Sequence, residues 1–145
     1  MKIAAVLGLA LVVIACGGSF SSVPIRAGDS CAGCGKQIAE VKFAAEAITQ
    51  QGEVKKFRTP ECLASYMRQH PEAVAAKWVT DYTSGRLIRP ESATYVRTTI
   101  DQNAREVAYA AFSQVTDAVK FGKDNLSSPI DWLMIQRLSA EKKSN

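Results

Sequence analysis

The sequence predicts an α+β fold, a single small domain of two similar strand–strand–helix halves. Three observations predict it. Ala44 to Thr49 and Glu53 to Phe57 flank Gln50-Gln51-Gly52, the signature of a β-hairpin. Helix starts follow strand runs, with Thr59-Pro60-Glu61 after Glu53 to Phe57 and Ser113 after Val107 to Phe112. The strand-to-helix junction also recurs. Lys56-Phe57-Arg58-Thr59 enters one helix and Ala111-Phe112-Ser113 another, each as a strand, a Phe, a hydroxyl cap and a helix.

Each element has a local reason. Thr59 suits an N-cap, Pro60 the first helical position and Glu61 the positive end of the dipole. Leu63, Tyr66 and Met67 then share one helical face, and His70-Pro71 ends the helix. Lys77 to Tyr82 alternates as a strand, and Thr83-Ser84-Gly85 turns it into Arg86 to Arg89. Ala93 to Arg97 is a further strand, the polar Thr98 to Ala104 a loop, and Val107 to Phe112 a strand. Ser113 is the expected cap of a helix through Val115, Ala118, Val119 and Lys120 that ends at Gly122. A last helix is expected from Ser128-Pro129, with Ile130, Leu133, Met134 and Leu138 on its apolar face.

The N-terminus sets the compartment. Lys2 precedes an apolar run from Ile3 to Ala15 that ends in small residues, the pattern of a secretory signal peptide over residues 1–15. The run is too short for a spanning helix, which needs about 20 residues. Cys16, straight after the small residues, resembles the lipobox cysteine of bacterial lipoproteins, which implies cleavage before it and acylation at it; the alternative is an ordinary cleaved signal with a chance cysteine. Acyl chains contribute about 0.8 kcal/mol per buried CH₂, enough in combination to hold a protein on a membrane. Gly17 to Ser30 is rich in Gly and Ser and reads as a flexible tether, making 16–30 the anchor and linker. The domain is expected over 31–140 and a frayed tail over 141–145. Gly17, with no Asp after Cys16, favours the outer over the inner membrane as the expected anchor on the periplasmic side in a cell with two membranes.

The whole chain carries 18 basic and 14 acidic residues, a net charge of +4. The charges are scattered, with no basic stripe of the kind that binds nucleic acid. Once Cys16 is lipidated, three cysteines remain: Cys31, Cys34 and Cys62. In an oxidising compartment an odd count leaves one thiol unpaired or the set used for other chemistry.

Cys31-Ala32-Gly33-Cys34-Gly35 admits three uses. Two thiolates at this spacing can hold one soft ion, Cu(I) or Zn(II). They can form a reducible disulfide, or a disulfide that staples the start of the domain. The residue after Cys34 is Gly35 rather than the His of a haem attachment site, and no second CxxC is present for a zinc ribbon. Cys62 lies in the first turn of its helix, where the dipole is expected to lower its pKa and make it a third soft ligand. The alternative is a free cysteine packed as a small hydrophobe. Met67 and Met134 are thioethers on apolar faces, better suited to packing than to ligation, and His70 suits a helix end. Glu61 and Asp81 are too far apart in sequence to argue for paired-carboxylate chemistry.

The order of these features resembles the NosL family of lipoproteins, which accompany nitrous oxide reductase assembly. The matching stretches are the cleavage site at Cys16, Cys31-Ala32-Gly33-Cys34-Gly35, and Gly52-Glu53-Val54-Lys55-Lys56-Phe57 with Cys62 downstream. Trp78 to Gly85, Ala93-Thr94-Tyr95-Val96 and Ala111-Phe112-Ser113 follow in order. The resemblance implies two similar halves, Cu(I) binding and delivery of copper to an exported cuproenzyme. Two positions depart from the family pattern. Lys36 stands where Met commonly follows the CxxCG run, and Arg97 to Asn103 lacks the Met-Gly segment that follows the Tyr-Val strand. Residues and resemblance together give a non-enzymatic, membrane-anchored lipoprotein with Cu(I) as its cargo. Cys31 and Cys34 are its expected ligands, with Cys62 the candidate third, and an exported copper enzyme is its expected acceptor. The alternative is a metal-free lipoprotein assembly module with a structural Cys31–Cys34 disulfide.

Overall fold

The computed structural model describes residues 19–101 and 105–141. The signal peptide, Cys16 and the last four residues lie outside them. Nine elements follow in order: β1 (Ala45–Thr49), β2 (Val54–Phe57), α1 (Pro60–Gln69), β3 (Val74–Thr80), β4 (Leu87–Ile88), β5 (Thr94–Asp101), β6 (Glu106–Phe112), α2 (Val115–Asp124) and α3 (Trp132–Glu141). Single 3-10 turns occupy Val41–Phe43 and Pro90–Ser92.

The strands form an antiparallel four-stranded sheet in the order β2-β1-β3-β4 and a separate β5-β6 hairpin. The mixed α+β architecture and its repeated hairpin-then-helix plan, β1-β2-α1 and β5-β6-α2, agree with the sequence expectation. The repeated junction is visible: β2 ends on Phe57 and α1 begins at Pro60, while β6 ends on Phe112 and α2 begins at Val115. Both Phe rings are buried.

The halves are stitched together at buried polar points. Asp81, just past β3, forms a parallel bridge with Ala111 of β6, and Tyr82 donates its N–H to the Ala111 carbonyl at 2.7 Å. The Asp81 carboxylate, 2% exposed, accepts from the Ser113 N–H at 2.9 Å and from the Ser84 hydroxyl at 2.5 Å. Tyr95 of β5 bridges to Ile130, and α3 packs along α1. The main core joins Ala45, Ala47 and Val79 of the sheet to Leu63 of α1 and Ile135 of α3. Small strand residues let the layers approach closely. A second cluster packs Val96, Ala108 and Ala110 under Phe112 and Ala118, with Tyr82 and Phe121 rings at 4.8 Å.

Several boundaries differ from expectation. Residues 23–30, read as tether, are laid against the sheet. Strand β1 is buried along its whole length, so Glu46 (0% exposed) needs an internal donor, and the Val23 N–H supplies it at 2.8 Å. Lys56 Nζ donates to the Pro24 carbonyl and to Asp29, and a Ser30–Gln37 bridge closes the next turn. The segment from Thr98 to Asp101 is strand rather than loop, because its polar residues pair with β6 where the hairpin projects into solvent. Ser113 does not cap α2, whose N-cap is Gln114, since Asp81 engages both its N–H and hydroxyl. Helix α2 continues past Gly122 to Asp124. Helix α3 starts at Trp132, behind an Asp131 carboxylate that accepts from the Met134 N–H. Its buried face is Trp132, Ile135 and Ser139, which leaves Leu133 and Met134 exposed.

Candidate metal centre

The first two cysteines sit on a loop docked against the edge of the four-stranded sheet. The Ala32 N–H donates to the Lys56 carbonyl of β2 at 2.8 Å. Within the loop, Cys31 N–H reaches the Lys36 carbonyl and Gly35 N–H returns to the Cys31 carbonyl, both at 2.9 Å. The loop also lies flat on the start of α1. A Cβ at Gly33 would stand 3.3 Å from the Cys62 carbonyl oxygen, so the small residue permits the approach.

The third cysteine comes from α1, whose first turn forms as the sequence predicts. The Thr59 side chain accepts from the Cys62 N–H, and Pro60 takes the first helical position. The cap fixes the Cys62 backbone opposite the loop. The three sulfurs all lie within 4.8 Å of one another. A soft ion bound in a trigonal plane at about 2.3 Å would hold them about 4 Å apart, so small side-chain movements close the site. All three are free thiols; Cys31 is buried, Cys62 intermediate and Cys34 exposed.

The surroundings favour the thiolate form at Cys31. Its thiol is pushed down to about 5, first by the hydrogen bond it accepts from the Cys62 S–H. Burial opposes this, but N–H groups of Arg58, Cys34 and Gly33 add to it. The Arg58 N–H to Sγ distance is 3.3 Å. Cys62 moves the other way, raised first by donating to Cys31 and then by burial. At Cys62 the hydrogen bond to Cys31 and burial thus act against the lowering expected from the helix N-terminus. Two neighbouring sulfurs share a proton, and the better-solvated charge is the one cradled by backbone N–H groups.

Cys34 and Cys62 open into a cleft of about 260 Å³, shared with Lys36, Arg58, Glu61 and Glu106. Cys31 is buried in the main core. The other candidates stand apart. Met67 packs against the main core, and Met134 is exposed beside Thr94 and Pro129. His70 caps the far end of α1, about 12 Å along the axis from Cys62, with its ring 4.5 Å from that of Tyr66. Asp81 is committed to Ser84 and Ser113 at the junction between the halves. Sequence reasoning did not anticipate Arg58 or Glu106. Arg58 lies at a strand–helix junction that could have raised it, whereas nothing local marks Glu106.

Among curated proteins no sequence matches this chain. A solved structure is similar over most of the fold: the copper chaperone NosL from Shewanella denitrificans, with a TM-score of 0.63 and 19% identity, covering 77% of this chain and 92% of that one. The NosL family model matches residues 22–127, the same stretch that holds the ordered N-terminal segment, both hairpins and all three thiols. The chain belongs to the NosL family.

Proposed function

We propose that this protein is an exported lipoprotein, anchored through Cys16, that binds one Cu(I) at Cys31, Cys34 and Cys62 and passes it to an exported copper enzyme of the nitrous oxide reductase type. The observation that carries the reading is the convergence of three sulfurs within 4.8 Å of one another, two of them on residues that line an open cleft. Soft thiolates select Cu(I), and a three-sulfur set without a closed fourth position suits transfer. Cys31 supplies the pre-formed thiolate. Cys34, the exposed ligand, is where an acceptor's sulfur would enter, so transfer proceeds by ligand exchange and needs no covalent step. The similarity to a solved copper chaperone supports the same reading. Chemistry on a substrate is not part of it, so the protein is not an enzyme. The acyl anchor at Cys16 holds it at the membrane, and the short stretch before Val23 gives the domain its reach.

An anaerobic Cu(I) titration of the reduced protein against a chromogenic Cu(I) chelator tests the reading. One tight equivalent is expected, and it should disappear in the Cys31→Ser/Cys34→Ser double variant. Binding as tight in the double variant as in the wild type would place the metal elsewhere. No competition with the chelator would leave the fold as a metal-free assembly module.

A further inference from the structure

One ion pair in the cleft joins the two halves of the fold beside the thiols. Arg58 follows the end of β2, and Glu106 opens β6, 48 positions later. Arg58 Nη2 donates to Glu106 Oε2 at 2.6 Å and Nη1 donates to Oε1, a bidentate pair. The two side chains are only 13% and 28% exposed. Arg58 is held at its other end as well, because its backbone N–H donates to Cys31 Sγ. Its guanidinium lies within electrostatic reach of Cys34 and Cys62. Glu106 feels Lys36 and Asp101 besides Arg58. Among the described residues lining this cleft, Arg58 is the sole guanidinium.

A monovalent ion leaves its thiolates under-neutralised. Two thiolates around Cu(I) carry a net charge of −1 and three carry −2, in a cleft where charge is less screened than in bulk water. A fixed positive charge beside the sulfurs strengthens such a site, and a carboxylate on that positive charge weakens it again. Groups around the ligands commonly change metal affinity about 10- to 100-fold.

We propose that the Arg58–Glu106 pair sets the affinity of the three-thiol site. Arg58 stabilises the anionic metal-bound form, and Glu106 limits that stabilisation so that the ion can leave. Both act as positioning residues through the sulfurs. The inference rests on the Cu(I) reading above, and it predicts opposite signs for the two halves of one ion pair. A purely structural tie predicts the same sign, since either substitution breaks it.

The test is chelator competition with the reduced, full-length protein under anaerobic conditions, with thermal midpoints recorded for each variant. Glu106→Gln should bind Cu(I) about tenfold more tightly and Arg58→Gln about tenfold more weakly, with the double variant between them. Arg58→Lys keeps the charge and loses the fork, so it should recover most of the affinity lost in Arg58→Gln and keep the proposal testable if the Gln variant folds poorly. Weakening by both Glu106→Gln and Arg58→Gln in step with lowered midpoints would overturn the proposal. A wild type that fails to compete would overturn the Cu(I) reading and this inference with it, an outcome distinct from equal loss in both variants.

Discussion

Cys31 is the residue on which the proposed site turns, because it is buried within reach of both other sulfurs and its thiolate is the one that the surrounding N–H groups favour. Cys31→Ser and Cys34→Ser should each weaken Cu(I) binding at least tenfold in chelator competition, since a hydroxyl is a poor ligand for a soft ion. The thiolate also marks stability. In the unfolded chain Cys31 is an ordinary thiol with a pKa of about 8.5, whereas in the fold it remains a thiolate down to about 5. Between those values the unfolded state binds more protons, so the Cys31 contribution rises with pH and is lost as pH falls to about 5. Above about 8.5 the raised Cys62 works in the opposite sense. Urea unfolding of the reduced, metal-free protein should therefore show the gap between wild type and Cys31→Ser widening from acid to neutral pH. A constant gap would contradict the assignment. The three cysteines were legible in the sequence, since their odd number in a chain expected to be exported demands an explanation. Which sulfur holds the charge was not, because it depends on N–H groups of Gly33, Cys34 and Arg58 converging on Cys31.

At the scale of elements, α1 shows what local chemistry can specify. Thr59, Pro60 and Glu61 define its start, and Thr59→Ala should cost about 1 kcal/mol in chemical denaturation. It should also weaken metal binding by loosening Cys62. The end of α2 was less legible. The Ser127 N–H returns to the Gly122 carbonyl at 2.9 Å and the Leu126 N–H to Lys123 at 3.4 Å, so the helix closes in a Schellman turn. Leu126 takes the left-handed position there, φ 51°, where glycine is usual. Gly122, expected as the terminator, instead lies inside the turn, where a Cβ would stand 2.5 Å from the Ser127 carbonyl oxygen. Leu126 is 97% exposed, so Leu126→Gly removes backbone strain without losing packing and should stabilise the protein by about 1 kcal/mol. Unchanged or reduced stability on thermal unfolding would contradict that account. Ser113 misled for a related reason: a good cap in isolation is drawn off by a buried carboxylate, Asp81, 32 residues away.

On the scale of the whole molecule, the fold places a loop from its N-terminal segment, the first helix and the second hairpin around one cleft. The two-half plan was legible from the repeated Phe junction. The seam was not, because its contacts join residues with no shared local pattern. Asp81 is the clearest example. Burial opposes its charge, but donations from Ser84 and Ser113 together outweigh this and hold the carboxyl below its ordinary range. Asp81→Ala would leave those donors unsatisfied and should cost about 3 kcal/mol, read as a lower urea midpoint. Arg58 and Glu106 span the same seam on the cleft side, so the order of the proposed metal site depends on the halves staying joined. X-ray absorption at the copper edge of the Cu(I)-loaded protein tests the central claim most directly. The account predicts a first shell of three sulfurs, falling to two in Cys62→Ser. A first shell of nitrogen or oxygen, or a sulfur count unchanged by that substitution, would contradict it.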